Sequence, residues 1–329
     1  MQECLEQNVN KFYKKGCYVT HPFLLPFWSF KMQFWATVLL DGLTYASYLF
    51  IVSLGLTIIF GVMKILNVAH GSFYAWGAYT AAFAIGFITD NELSEALFLP
   101  AILISAILVG VVLGYIIERF ILRKMYNQDI HLIVLATFGV FLIFEDLIII
   151  TFGVDPYLPY QPAMMLGWVD IVGLNRGVYQ LTLILLASIV AFACWYGLTK
   201  TKWGKLLQSV IYDREISVAM GIDVTKVYVV TFIGGAILGA LGGAYVAPTT
   251  SVSPGFAIDL VVLSFAVVVI GGMGSIPGAL IGSLIVGILR AFAVHQAPIL
   301  ELFVVFAVMA IVLIIRPEGL FAPPKPRKI

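Results

Sequence analysis

The sequence predicts an all-α protein, polytopic in a lipid bilayer, with about eight to ten membrane segments, some of them broken or re-entrant. Three observations carry this. The chain is 61% hydrophobic and only 11% charged, against about 25% charged in ordinary soluble domains. Stretches free of Asp, Glu, Lys and Arg recur: Gly42–Met63, Ile65–Thr89, Ala96–Ile117, Ile130–Phe144, Gly177–Thr199, Val227–Ile258, Leu260–Leu289 and Leu302–Ile315. Most reach the roughly 20 residues a spanning helix needs. The roughly ten-residue alternating segments of a membrane β-barrel are not visible, so the spans are helical.

The first 31 residues precede this pattern and carry Lys11, Lys14, Lys15 and Lys31. Two simple spans after them leave these lysines outside, against the bias of basic residues toward the cytoplasm. The run MQFWATVLLDGL from Met32 reads as a natural start, so residues 1–31 are expected to be an extension and 32–329 the transmembrane domain. A tenth segment results if Phe23–Trp35 also enters the membrane.

Asn67-Val68-Ala69-His70-Gly71-Ser72 sets polar side chains and a glycine between two apolar helices. It is either a short interfacial turn or a break that exposes backbone to a transport path. From Ala96 onward the charged loops alternate. Arg119, Arg123 and Lys124 mark one cytoplasmic loop. Lys200, Lys202, Lys205, Arg214 and Lys226 mark a second, spanning 199–226. Arg316, Lys325, Arg327 and Lys328 mark a cytoplasmic C-terminus. Asp90, Glu92, Glu95, Asp155 and Asp170, with Arg176, fall on the opposite side. Glu145 and Asp146 interrupt an apolar stretch, where carboxylates are costly and usually face the bundle interior; the alternative is a place near the outer end of a helix, or hydrogen bonds accepted from a neighbour.

Within the second cytoplasmic connection, Asp213 caps a short helix through Met220, and Gly221 suits the left-handed position that ends it. Thr225 offers a cap for the next span. A short helix on a cytoplasmic connection has the shape to dock into a groove on a soluble partner; a plain solvated loop is the alternative. Further on, Gly271-Gly272-Met273-Gly274-Ser275-Ile276-Pro277-Gly278 cannot continue a helix, so two spans or half-spans meet there. Glycines at four-residue spacing (Gly235, Gly239, Gly243; Gly274, Gly278, Gly282; Gly110, Gly114) let helices approach backbone to backbone.

Several functions are disfavoured. No GxxxxGK[ST] phosphate loop is present, so the chain is not expected to hydrolyse ATP, and no HExxH zinc helix occurs. The four histidines are scattered, and Cys4, Cys17 and Cys194 have neither metal nor disulfide spacing. A net charge of +1 gives no basic surface for nucleic acid. Ser275 with His295 would be the pair of an intramembrane protease, and Glu145 with Asp146 the coupling groups of an ion-driven transporter.

Four blocks in order then carry a resemblance: Gly55–Tyr79, Asp213–Gly243, Gly271–Gly282 and the IIRPEGLF run Ile314–Phe321. Together they resemble the permease subunits of bacterial and archaeal ABC importers for branched-chain amino acids, over nearly the whole chain after Met32. The Asn67-to-Gly71 form is similar to the first of the two permeases such importers pair. The resemblance implies a multi-pass subunit of a prokaryotic inner membrane that imports leucine, isoleucine and valine by alternating access. It implies a second permease, two cytoplasmic ATPase subunits that bind the ATP, and an extracytoplasmic binding protein. It places Asn67, His70, Gly71 and Ser72 near the pathway and Asp213, Arg214, Ala219 and Gly221 at the ATPase contact. Related permeases carry urea or short amides, which leaves the cargo open.

Overall fold

The structure, a computed structural model, describes residues 25–126, 128–171 and 173–321. The chain divides into two units, 1–37 and 38–329. In the first, residues 25–37 are helical; the remainder of the expected extension, with Cys4, Cys17, His21 and three of its lysines, lies outside the described residues. Lys325, Arg327 and Lys328 also lie outside them.

Long helices fill the second unit because lipid offers backbone groups no other partner. Helix α1 is Leu25–Met63, α2 His70–Asp90 and α3 Phe98–Ile117. A π-helical turn, Glu118–Leu122, carries α3 on to Arg123–Met125. Arg119, Arg123 and Lys124 therefore sit on a helix end rather than in a loop. The buried Glu118 carboxylate there accepts from Arg123 at 3.0 Å and Tyr126 at 2.5 Å. Next come α4, Ile130–Phe152, and α5, Gln161–Leu166. An antiparallel hairpin follows, β1 Trp168–Ile171 and β2 Leu174–Gly177, with Trp168 opposite Gly177. Helix α6 is Val178–Lys200, α7 Lys202–Tyr212, α8 Arg214–Ala219 and α9 Val224–Val246. Helices α10, Ala257–Gly271, α11, Ile276–Gln296, and α12, Glu301–Ile315, complete the bundle.

Among the described residues, seven helices are long and apolar enough to cross a membrane, from Gln33–Met63 to Pro298–Ile315. Two further helices, α2 and α10, fall outside this set. Helix α2 has the length at 21 residues but carries His70, Ser72, Thr89 and Asp90. Helix α10 has only 15 residues, a rise of about 22 Å against a hydrocarbon core of about 30 Å.

The apolar stretches and the helices do not coincide everywhere. Val227–Ile258 is one stretch in composition, but α9 stops at Val246 because Pro248 and Pro254 follow. Conversely, α4 runs straight through Glu145 and Asp146. The Glu145 carboxylate accepts a 3.0 Å hydrogen bond from the Gly255 amide, in the non-helical segment before α10. Backbone at membrane depth must find its partners inside the protein, and this carboxylate is one.

Helix α9 is the centre of packing, against α2 and α3. A Cβ on Gly55 of α1 would lie 2.5 Å from the Gly235 carbonyl oxygen, and one on Gly235 would lie 2.8 Å from that of Gly55. On the same α9 face Gly239 meets the His70 ring, and Gly243 the Tyr74 carbonyl. Gly110 and Gly114 of α3 back onto Ile237 and Ala236. These close approaches supply the dispersion contacts that hold helices together in lipid, where hydrophobic exclusion contributes little. The third glycine series is not a ladder. Gly274 lies in the turn before α11 with φ +84, and only Gly278 and Gly282 face α10, at Gly271 and Val267. Gly272 (φ +104) ends α10, and Pro277 is tolerated as the second residue of α11.

Candidate functional site

The chain between α1 and α2 is a break within the bundle. Lys64 takes a left-handed φ of 57°, a conformation unusual outside glycine. Six residues later His70 Nε2 lies 3.0 Å from the Val52 carbonyl oxygen. Val52 stands three turns back from the end of α1, so α2 starts well inside the bundle. The Val68 amide donates to Thr137 Oγ1 at 3.2 Å, which ties the break to α4. Asn67, His70 and Ser72 are fully buried, and Gly71 admits Val261 and Phe141 where a side chain would stand. Both polar atoms of the Asn67 amide, His70 Nδ1 and Ser72 Oγ have no hydrogen-bond partner among the described residues. Leaving such a group unpaired costs about 1–3 kcal/mol.

The connection 199–226 is built from three capped helices. Thr201 Oγ1 accepts from the Gly204 amide at 3.1 Å to start α7, and Asp213 Oδ1 accepts from Ile216 at 2.9 Å to start α8. Gly221 closes α8 with φ +80, its amide bonded to the Val218 carbonyl and the Ile222 amide to that of Ser217. Asp223, not Thr225, caps α9: Lys226 donates its amide to Oδ1 at 3.1 Å. Thr225 already lies inside the first turn, where its own amide is one of the orphans a cap serves. The Lys226 amide and ammonium hold the Asp223 carboxyl below its usual range. Arg214 lies over the Tyr228 ring at 5.7 Å. Asp213, Arg214, Ala219 and Gly221 are all exposed. So are three apolar side chains of this short segment, Ile216, Val218 and Met220, the last 76% accessible.

Two of the cavities among the described residues lie toward opposite ends of the bundle. One, of about 540 Å³, is mostly apolar and sits between the C-terminal ends of α1 and α6, α7 and the Gly274–Pro277 turn. The other, of about 680 Å³, lies toward the opposite ends of the helices and is lined by Tyr45, Tyr48, Tyr74, Asp259, Arg290 and Glu301 among others. Asn67, His70, Gly71 and Ser72 line neither; in this conformation they are buried, His70 against α1 and α9 and Gly71 against α4 and α10. The outer cavity escaped the sequence reading, in which Asp259, Arg290 and Glu301 served only to bound apolar stretches. An isolated ionisable residue between two such stretches is itself the missed signal.

The geometry removes one alternative and bears on another. Ser275 Oγ accepts from the Gly278 amide at 3.2 Å as the cap of α11, and His295 lies 2.9 Å from Asp41 near the other end of that helix. Twenty residues of helix, about 30 Å, separate them, so they form no serine–histidine pair. Glu145 serves the Gly255 backbone through Oε2, as above, while its Oε1 is buried without a hydrogen-bond partner among the described residues.

A multi-pass helical membrane protein with a helix broken inside the bundle and an exposed, capped helix on a basic connection has the architecture of a membrane transport component. The chain belongs to the family of branched-chain amino acid transport system permease components, whose model matches residues 38–314. It is 27% identical to the high-affinity branched-chain amino acid transport system permease protein BraD of Pseudomonas aeruginosa, over 88% of this chain and 97% of that one. It is 25% identical to the permease protein LivH of Escherichia coli K12, over 88% and 96%. Among solved structures, PsaBC from Streptococcus pneumoniae in complex with Fab shows a distant likeness, with a TM-score of 0.47 at 13% identity, covering 86% of this chain and 91% of that one.

Proposed function

We propose that the chain is one membrane subunit of an ATP-driven importer for leucine, isoleucine and valine. The match of nearly its whole length to permeases named for branched-chain amino acid transport carries this reading. In it, a second permease completes the path, two cytoplasmic ATPase subunits bind and hydrolyse ATP, and an extracytoplasmic protein delivers the substrate. Helix α8 is the point of drive. Its exposed Ile216, Val218 and Met220 fit a groove on an ATPase subunit, and its two caps keep it rigid enough to transmit a push. Asn67, His70, Gly71 and Ser72 belong to the moving part. Their unpartnered polar atoms favour a second conformation in which the break opens and those atoms meet partners or substrate. Residues 1–31 are an extension outside this machinery.

Complementation tests the reading. A leucine auxotroph stripped of its own uptake systems is given this subunit with the genes beside it. Growth on low leucine that disappears when this subunit alone is omitted is expected. Growth on urea as nitrogen source without growth on leucine would keep the machine and overturn the cargo.

A further inference from the structure

The outer cavity collects three ionisable side chains from three helices. Arg290 comes from the last turns of α11, Glu301 opens α12, and Asp259 lies in the first turn of α10. Arg290 pairs with Glu301 and lays its guanidinium 3.7 Å from the centre of the Tyr45 ring. Asp259 forms no ion pair among the described residues. The three thus carry a formal −1, with one carboxylate in excess. Placing such groups between apolar helices is expensive, and they face a polar interior or a water-filled path when they occur. The rest of the wall combines aromatic and aliphatic side chains, including Tyr74, Phe256, Leu260 and Leu263, with the hydroxyl residues Thr249, Thr250 and Ser251. The volume, about 680 Å³, lies in the range of small-molecule sites.

The geometry points to a binding site for the zwitterionic end of an α-amino acid in this cavity. It rests on the proposal that the cargo is an amino acid, and assigns where this chain holds it. The Arg290 guanidinium has five donors in a planar fork, enough to keep Glu301 while receiving the substrate α-carboxylate. The α-ammonium takes Asp259, the carboxylate that lacks a cation. The aliphatic side chain then lies against Phe256, Leu260 and Leu263. The Tyr45 ring holds the guanidinium in plane from behind. An amine without a carboxylate, or an acid without an ammonium, leaves one of these charges unmatched.

The alternative is that Arg290 and Glu301 only clamp α11 to α12. Variants in the complete importer, reconstituted with its binding protein and trapped ATP, separate the two. Asp259→Asn breaks no ion pair, so a clamp alone predicts wild-type leucine uptake. The site predicts a loss of about tenfold with assembly and thermal midpoint unchanged, and recovery in Asp259→Glu. The double exchange Arg290→Glu with Glu301→Arg restores a clamp but reverses the charges, and is expected to assemble and remain inactive. Wild-type uptake in Asp259→Asn, or full rescue by the double exchange, overturns the assignment while leaving the importer intact. Failure of the unmodified complex to take up leucine overturns the amino-acid reading, and this site with it.

Discussion

The seam between α1 and α9 makes a quantitative prediction through Gly55→Ala. The new Cβ would stand 2.5 Å from the Gly235 carbonyl oxygen and 3.0 Å from His70 Cε1. Ordinary contact begins at about 3.4 Å, so the helices must separate locally by nearly 1 Å, because a backbone carbonyl cannot swing aside. A gap of 0.5–1 Å forfeits a quarter to a half of each dispersion contact along the seam, and overpacking of this kind costs about 1–3 kcal/mol. Alanine also gains about 0.5–1 kcal/mol in a helix relative to glycine, which would mask part of the loss. Gly86→Ala on α2, where a Cβ meets nothing within 4 Å, shares that gain without the clash. Their difference isolates the seam. Thermal denaturation of both variants in detergent, read by size-exclusion fluorescence, should place Gly55→Ala well below Gly86→Ala. Equal midpoints would refute the claim that the glycines are there for close approach.

Three further outcomes follow from the same geometry. Gly221→Pro should leave the protein in the membrane at normal abundance but abolish uptake, since proline fixes φ near −65° where α8 needs +80; uptake assays against membrane immunoblots decide it. Glu145→Gln keeps an acceptor for the Gly255 amide and should transport nearly normally, whereas Glu145→Leu leaves that amide unpaired and should lower the thermal midpoint by the equivalent of about 1–3 kcal/mol; transport lost in Glu145→Gln would point to ion coupling. Asp41→Asn removes a carboxylate that Arg176 approaches at 2.5 Å and His295 at 2.9 Å, joining α1 to the hairpin and α11, and should lower the midpoint by about 1 kcal/mol.

Much of this fold was legible because lipid imposes a continuous apolar run on each span, and because caps and breaks are local. Asp213 and Gly221 bracket α8 within nine residues, and Gly271-to-Gly278 declares its turn through composition alone. Other features depend on residues far apart in sequence. Arg176 in the hairpin and Asp41 on α1 meet across 135 positions, and no local pattern announced either the hairpin or the pair. Glu145 could be read as a hydrogen-bond acceptor or as a coupling group, because its partner, the Gly255 amide, lies 110 residues away. The misplaced cap at Thr225 was a choice between neighbours that only geometry separates. Gly274 fitted a four-residue spacing, yet its φ of +84 belongs to a turn; spacing alone cannot tell a helical glycine from one that ends a helix. The outer cavity required three termini of different helices to be brought together, and only its cost in lipid was visible beforehand.

The account stands most directly on ATP-dependent transport by the assembled complex. Vesicles reconstituted with this chain, the second permease, the ATPase subunits and the binding protein are loaded with ATP or left empty, and labelled leucine is followed. Accumulation that needs both trapped ATP and this subunit is the predicted result. Leucine entry that proceeds without ATP, or without the partner subunits, would contradict it.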